Sequence, residues 1–388
     1  MAKDWQQGGF GLYVHWPYCE SKCPYCDFNS HVSSFVDQKV WRDAYLKELD
    51  RVAVSTGGRV LNSIFFGGGT PSLMDPDTVA AIIAKAREIW IPANDLEVTL
   101  EANPGSVEAG RFTAYRDGGV NRVSMGVQAL NDKDLKRLGR LHTVAEARAA
   151  FEIAKSSFDR VSFDLIYARQ DQSLSDWRKE LNEALSMSVD HLSLYQLTIE
   201  DGTAFGDRYK AGRLRGLPDE GLSADMYDLT QELCEAAGMP RYEVSNHARP
   251  EAQSRHNLIY WRYGDYVGIG PGAHGRLSLK GARFATEAIR HPIAWLGGVN
   301  KGAPELKPIE LSTLEQAEEY VMMGLRISEG IDLKRFSEMS GQELNPDTIE
   351  RLRDLGMIDS SESRISVSNQ GVKVLNAVIL ELLDGRRH

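Results

Sequence analysis

"HWPYCESKCPYCDFNSH" (15–31) holds three of the chain's four cysteines, Cys19, Cys23 and Cys26, spaced Cys-x3-Cys-x2-Cys directly behind the strand-like run "GLYVHW" (11–16). Three thiols at that spacing can serve a disulfide, a metal or neither. The chain opens on the polar "MAKDWQQGGF", with no basic and apolar leader, and no run approaches the ~20 apolar residues of a membrane span. A cytoplasmic protein is therefore expected, and in that reducing compartment clustered thiols point to a metal. Of 388 residues 42% are hydrophobic, enough for one large domain and a smaller one. The formal net charge of −10 argues against a nucleic-acid partner, whose phosphates are bound by Lys and Arg.

Outward from the cysteines, β-branched and aromatic runs recur at intervals of a βαβ unit: "GLYVHW", "VLNSIFF" (60–66), "LEVTLEA" (96–102), "RVSMGV" (122–127), "VSFDLIY" (161–167) and "HLSLYQLTI" (191–199). Amphipathic stretches such as "VDQKVWRDAYLKELDRVAV" (36–54) and "SLSDWRKELNEALSMSV" (173–189) lie between them. The alternation predicts an α/β fold with a parallel sheet and outer helices. Polar and glycine signals fall at successive strand ends: the cysteines, "GGGTP" (67–71), "EANP" (101–104), Gln128, Asp164 and Gln196. That convergence favours a barrel, whose strand ends share one site, over a Rossmann sheet, whose GxGxxG turn is missing.

The rhythm changes after about residue 200, with a helix expected near 220–238 and a strand in "RYEVSNHA" (241–248). Residues 309–388 read as several helices and the hairpin-like "MIDSSESRISVS" (357–368), a winged-helix-like module. Its 15 Asp/Glu against 9 Lys/Arg suit a lid or packing module better than a DNA-binding one. The expected domains are 1–300 and 309–388.

Structural zinc takes four ligands, and the fourth cysteine, Cys234, sits at a position that reads as the buried face of a helix. Three cysteines around an iron–sulfur cluster leave one iron open. Cys-x3-Cys-x2-Cys with Tyr25 before the last cysteine resembles the signature of the radical S-adenosylmethionine (SAM) superfamily. The resemblance implies a 4Fe-4S cluster on Cys19, Cys23 and Cys26, with SAM at the open iron. It also implies a partial (β/α)6 barrel with a C-terminal, mainly helical domain. Within it, Gly68, Gly69 and Thr70 match the loop that meets the SAM amino group. Glu101 suits the ammonium and Arg140 the carboxylate; Asp164 and Gln128 suit the ribose hydroxyls, and Tyr13, Tyr25 and Ile166 supply walls near cluster and adenine.

The resemblance is closest to the oxygen-independent coproporphyrinogen oxidase group. The decarboxylating oxidases carry a further cysteine two residues after the third, where this chain has Phe28. "HNLIYW" (256–261) matches the His-Asn-x-x-Tyr-Trp motif of HemW-type heme chaperones, which makes His256 the expected heme ligand beside Tyr260 and Trp261. His247 is a second axial candidate, read as a loop residue. The resemblance thus implies a heme carrier delivering to acceptor hemoproteins, respiratory enzymes among them, with a homodimer and contact with the inner face of a membrane both compatible. The rival expectation is oxidative decarboxylation of coproporphyrinogen III.

Overall fold

The computed structural model describes residues 3–33, 35–106 and 109–384. Six strands, β1 (Phe10–Trp16), β2 (Val60–Gly68), β3 (Ile91–Ala102), β4 (Arg122–Gln128), β5 (Arg160–Tyr167) and β6 (His191–Gln196), pair in parallel, each with the next. Their C-terminal ends therefore share one rim. The connections are helical: α1 (Gln38–Thr56), α2 (Pro76–Ile89), α3 (Ala109–Asp117), α4 (Val144–Ser157) and α5 (Leu174–Met187). Side-chain caps start four of them, Asp37 on α1, Asp75 ahead of Pro76 on α2, and capping boxes Thr143/Glu146 and Ser173/Asp176 on α4 and α5. A further helix, α6 (Glu220–Ala236), buries Met226, Leu229 and Cys234.

The parallel strands are buried on both faces, but their inner face is partly polar. Arg122 crosses it, donating to Thr99 Oγ1 at 3.4 Å and Ser162 Oγ at 3.0 Å. Such groups persist inside a barrel only when hydrogen-bonded.

The sheet extends beyond the six expected strands. β7 (Asn246–Ala248) joins β6 antiparallel, while β8 (Asp265–Ile269) adds in parallel to the other side of β1 and continues antiparallel into β9 (His274–Leu279), β10 (Ala282–Glu287) and β11 (Ile309–Leu311). Only Asn246–Ala248 of the expected strand 241–248 is extended, because Tyr242 N–H turns back onto Asn246 O and Glu243 bridges to Ile327. Helix α7 (Arg255–Trp261), capped by Ser254, carries the HNLIYW motif and closes the N-terminal end of the barrel against β1 and β2.

After helix α8 (Pro292–Lys301), the tail comprises α9 (Thr313–Gly324), β12 (Ile331–Asp332), α10 (Leu333–Ser340), α11 (Pro346–Asp354), β13 (Ile358–Ser360), β14 (Arg364–Val367) and α12 (Leu375–Asp384). Its helices and three-stranded wing enclose their own core, including Val321, Phe336, Leu352, Ile365 and Ile379, with Tyr263 inserted beside them. Arg335 joins the parts: it donates to both carboxylate oxygens of Asp4 at 2.8 Å and to the carbonyls of Arg262 and Tyr263. The module thus packs at the end of the barrel opposite the strand-end rim. Among the described residues no helix is long and apolar enough to cross a membrane.

Candidate functional site

A cavity of about 590 Å³ opens at the C-terminal rim of β1–β6. Cys19, Cys23 and Cys26 line it together with Tyr25, Gly68, Gly69, Thr70, Glu101, Gln128, Arg140, Asp164 and Ile166. Residues 19 to 166 meet there because each follows or ends a parallel strand. All three thiols are half-buried, and burial pushes those of Cys19 and Cys26 up. Cys234 lies elsewhere, fully buried in α6 with its thiol pushed up to about 12 by burial, so it supplies no fourth thiolate here. Among the described residues no group of three or more His, Cys, Asp or Glu side chains is gathered for a single metal ion.

Backbone geometry shapes the floor. Gly68 has φ +110°, and a Cβ there would stand 2.6 Å from the His15 ring; one on Gly69 would stand 2.6 Å from Tyr18 O. The Gly68 N–H donates to Glu101 Oε2 at 3.3 Å. At the end of β4 the register slips between Met125 and Gln128, and Gln128 takes φ +73°, a left-handed conformation unusual for a side-chain-bearing residue. That bulge turns Gln128 towards Asp164, to which its Nε2 donates at 2.6 Å.

The charges are unbalanced. Burial, reinforced by Asp164, pushes Glu101 up to about 8, and burial pushes Asp164 up to about 6 against the pull of Gln128 and Arg140. Arg140 donates from Nη1 to Cys23 Sγ at 3.3 Å and from Nη2 to Gly126 O at 2.8 Å, while its buried Nε has no partner among the described residues. Two acids held towards their protonated forms, an arginine with a spare buried donor and a glycine backbone at the floor suit a zwitterionic amino-acid ligand beside the thiols. The residues present therefore fit a three-thiolate cluster with SAM.

Two expected residues lie outside this cavity. Tyr13 sits one layer below it, with its hydroxyl on His15 Nδ1 at 3.0 Å, because odd positions of β1 point into the barrel and the His15 ring and Gly67–Gly68 backbone cover it. His256 lies deeper, 5% exposed, its ring packed against those of Phe65 (4.9 Å) and Tyr13 (6.1 Å), with Nδ1 bonded to Ser63 Oγ at 2.8 Å. In this arrangement it presents no face to a porphyrin. His247, read from the sequence as a loop residue, is instead a fully buried strand residue whose pKa burial lowers to about 3.

Conversely, Ser124, Gly126, Ser193 and Tyr195 line the cavity and escaped the sequence reading. Their signal was available: 124, 126 and 128, like 193 and 195, repeat with the period of two that puts residues on one strand face. Val244 and Ser245 arrive from a loop and had none.

With this geometry in view, the likeness to known proteins is specific. The Radical SAM superfamily model matches residues 13–184, and the HemN C-terminal domain model residues 311–374. The heme chaperone HemW of Escherichia coli K12 is 42% identical over 293 residues, covering 74% of this chain and 75% of its own. HemW of Bacillus subtilis 168 is 34% identical over 372 residues, covering 94% and 97%. The mitochondrial Radical S-adenosyl methionine domain-containing protein 1 of Mus musculus is 40% identical over 385 residues, covering 96% and 87%. Among solved structures, the Escherichia coli coproporphyrinogen III oxidase HemN superposes with a TM-score of 0.79 over 98% of this chain and 92% of its own at 20% identity, a likeness of fold. The chain belongs to the radical SAM superfamily, in its HemN/HemW-like group.

Proposed function

We propose that the chain is a heme chaperone that holds a 4Fe-4S cluster with SAM and passes heme to acceptor hemoproteins, respiratory enzymes among them. Cys19, Cys23 and Cys26 would hold the cluster, which supplies an open iron for the amino and carboxylate groups of SAM and an electron for its sulfonium. Glu101 and the Gly68–Thr70 loop receive the ammonium, and Arg140 the carboxylate. Gln128 and Asp164, already joined, present a donor and an acceptor to the ribose, and Tyr25 and Ile166 exclude water.

The observation that carries the chaperone reading over the oxidase one is the charge of the cavity. Among the described residues four acidic side chains line it, Asp27, Glu101, Asp164 and Glu200, two of them held towards the protonated form by burial, against one cation, Arg140, which is bonded to Cys23 and Gly126. A coproporphyrinogen bears four propionates, and burying them beside those acids without further cations is unfavourable. Relatives named heme chaperones at 34% and 42% identity support the same choice.

The test is anaerobic titration of the reconstituted protein with heme, followed at the Soret band, alongside incubation with coproporphyrinogen III, SAM and a reductant. Stable heme binding without vinyl product is expected. Decarboxylation with substrate-dependent 5′-deoxyadenosine, and no stable heme binding, overturns the reading.

A further inference from the structure

The cysteine loop is tied to the rest of the fold at two places. Towards its end, Asn29 Nδ2 donates to Pro271 O at 2.9 Å and to Arg290 O at 2.8 Å. The other tie falls between the thiols themselves. Within Cys23–Cys26 one backbone bond is local, from Cys26 N–H to Cys23 O at 3.2 Å, and one comes from far along the chain, from Phe205 N–H to Pro24 O at 2.8 Å. Among the described residues no other backbone hydrogen bond reaches these four residues.

The donor belongs to a segment that follows β6 back over the rim. Leu197 N–H donates to Tyr167 O at 2.9 Å, and Leu197, Thr198 and Glu200 line the cavity. Thr203 then caps a short helix, Ala204–Lys210: its Oγ1 accepts from Gly206 N–H at 3.0 Å and donates to Glu200 O at 2.7 Å. Phe205 stands in the first turn, where an N–H has no partner inside its own helix, and that free donor goes to Pro24.

Side chains reinforce the tie. Phe205 is 1% exposed and lies behind the cavity wall; its ring centre is 6.4 Å from that of Tyr25, which forms part of the wall. It shares an apolar cluster with Leu135, Leu138, Ile166 and Leu214, against which Tyr25 packs. Pro24 is met by Gly139 as well, where φ is +70° and a Cβ would stand 2.7 Å from Pro24 Cδ. Pro24 and Tyr25 therefore rest on fixed ground, and Cys23 and Cys26, their immediate neighbours in the chain, take their positions from it. The bond from Arg140 Nη1 to Cys23 Sγ at 3.3 Å depends on that position. Hydrogen bonds to the sulfurs and solvent exposure are the levers by which a protein tunes an iron–sulfur cluster.

We propose that Phe205 is a positioning residue for the thiols: its N–H and ring hold Pro24 and Tyr25, which fixes Cys23 and Cys26 and keeps the Tyr25 wall closed to water. The proposal rests on the reading of Cys19, Cys23 and Cys26 as cluster ligands and names a residue outside the cavity on which that site depends.

The experiment compares full-length wild type, Phe205→Ala, Phe205→Leu and, as a stability control in the core of the C-terminal module, Leu352→Ala. Iodoacetamide alkylation of the metal-free protein, read by mass spectrometry, reports each thiol, with Cys19 as internal reference because it is held by its own pairing with Val32. In Phe205→Ala, alkylation of Cys23 and Cys26 should quicken about tenfold relative to Cys19 through easier local opening. After anaerobic reconstitution its reduction potential should rise, because water stabilises the more highly charged reduced form, and the change that SAM makes to its EPR spectrum should weaken. Phe205→Leu, which keeps most of the apolar volume, should show the same shifts to a smaller extent and carries the test where the alanine variant does not fold. Leu352→Ala should lower the urea midpoint and leave the alkylation ratio and the potential as in wild type. A wild-type ratio and potential in whichever Phe205 variant folds overturn the proposal. A wild type that takes up no cluster overturns the reading of the three thiols, and the alkylation ratio still decides the role of Phe205.

Discussion

Ser63 and His256 are joined inside the barrel, Oγ to Nδ1 at 2.8 Å across 193 residues of sequence. The bond starts a chain of contacts that leaves the HNLIYW motif and ends at the cysteine loop. The His256 ring stacks on Tyr13, the Tyr13 hydroxyl donates to His15 Nδ1, and His15 Nε2 donates to Asn29 O at 2.9 Å. His256→Ala removes a ring stacked on two others and leaves the Ser63 hydroxyl without its partner. A loss of about 2–4 kcal/mol is expected, read as a lower urea midpoint. An unchanged midpoint refutes this structural role.

Burial lowers the pKa of His256 and His247 to about 3 and of His142 to about 4. Unfolded histidines take up a proton near pH 6.5, whereas these stay neutral in the fold until far lower pH. The unfolded state then binds more protons, so stability falls with acidification. It should be retained above about pH 6.5 and decline towards pH 3 to 4. Urea unfolding between pH 7 and 4 checks this, and His247→Gln should flatten part of the slope.

Glu101 has the opposite habit, remaining protonated up to about pH 8 in the free protein. The SAM ammonium favours its carboxylate, so binding below that pH must release a proton. Affinity should rise with pH, by up to about tenfold per unit between 7 and 8. Calorimetry on the cluster-loaded protein reads it, and Glu101→Gln should weaken binding and remove the dependence. A pH-independent wild type would contradict the assignment of Glu101 to the ammonium.

Gly68→Ala forces a Cβ to within 2.6 Å of the His15 ring at φ +110°. Strain of about 1–3 kcal/mol is expected, with loss of SAM binding out of proportion to the loss of stability. Equal SAM affinity in wild type and variant would show that the loop does not touch the ligand.

Arg335→Met strips both hydrogen bonds from Asp4 and frees two carbonyls at the junction with the C-terminal module. Arg335 is 6% exposed, so the cost should approach the about 3–5 kcal/mol of a broken buried pair. Hydrogen exchange should show faster opening of residues 313–384 than of the barrel strands.

The sequence alone determined the six parallel strands, the helices between them and most of the cavity. Each strand carries a local periodicity, and in a parallel barrel the residue after a strand is brought to the shared rim whatever the remaining contacts are. Cys19, Gly68, Glu101, Gln128 and Asp164 are legible for that reason. Only the tertiary structure decided what His256 faces, because a helix seven residues long can turn a histidine outward or into the barrel at equal local cost. Its partners, Ser63, Phe65 and Tyr13, come from two other strands. The same holds for His31 and His291, 260 residues apart, which meet because Asn29 ties the cysteine loop to the start of α8. Long-range packing, which no local pattern encodes, set which imidazoles are sealed in and which reach the surface.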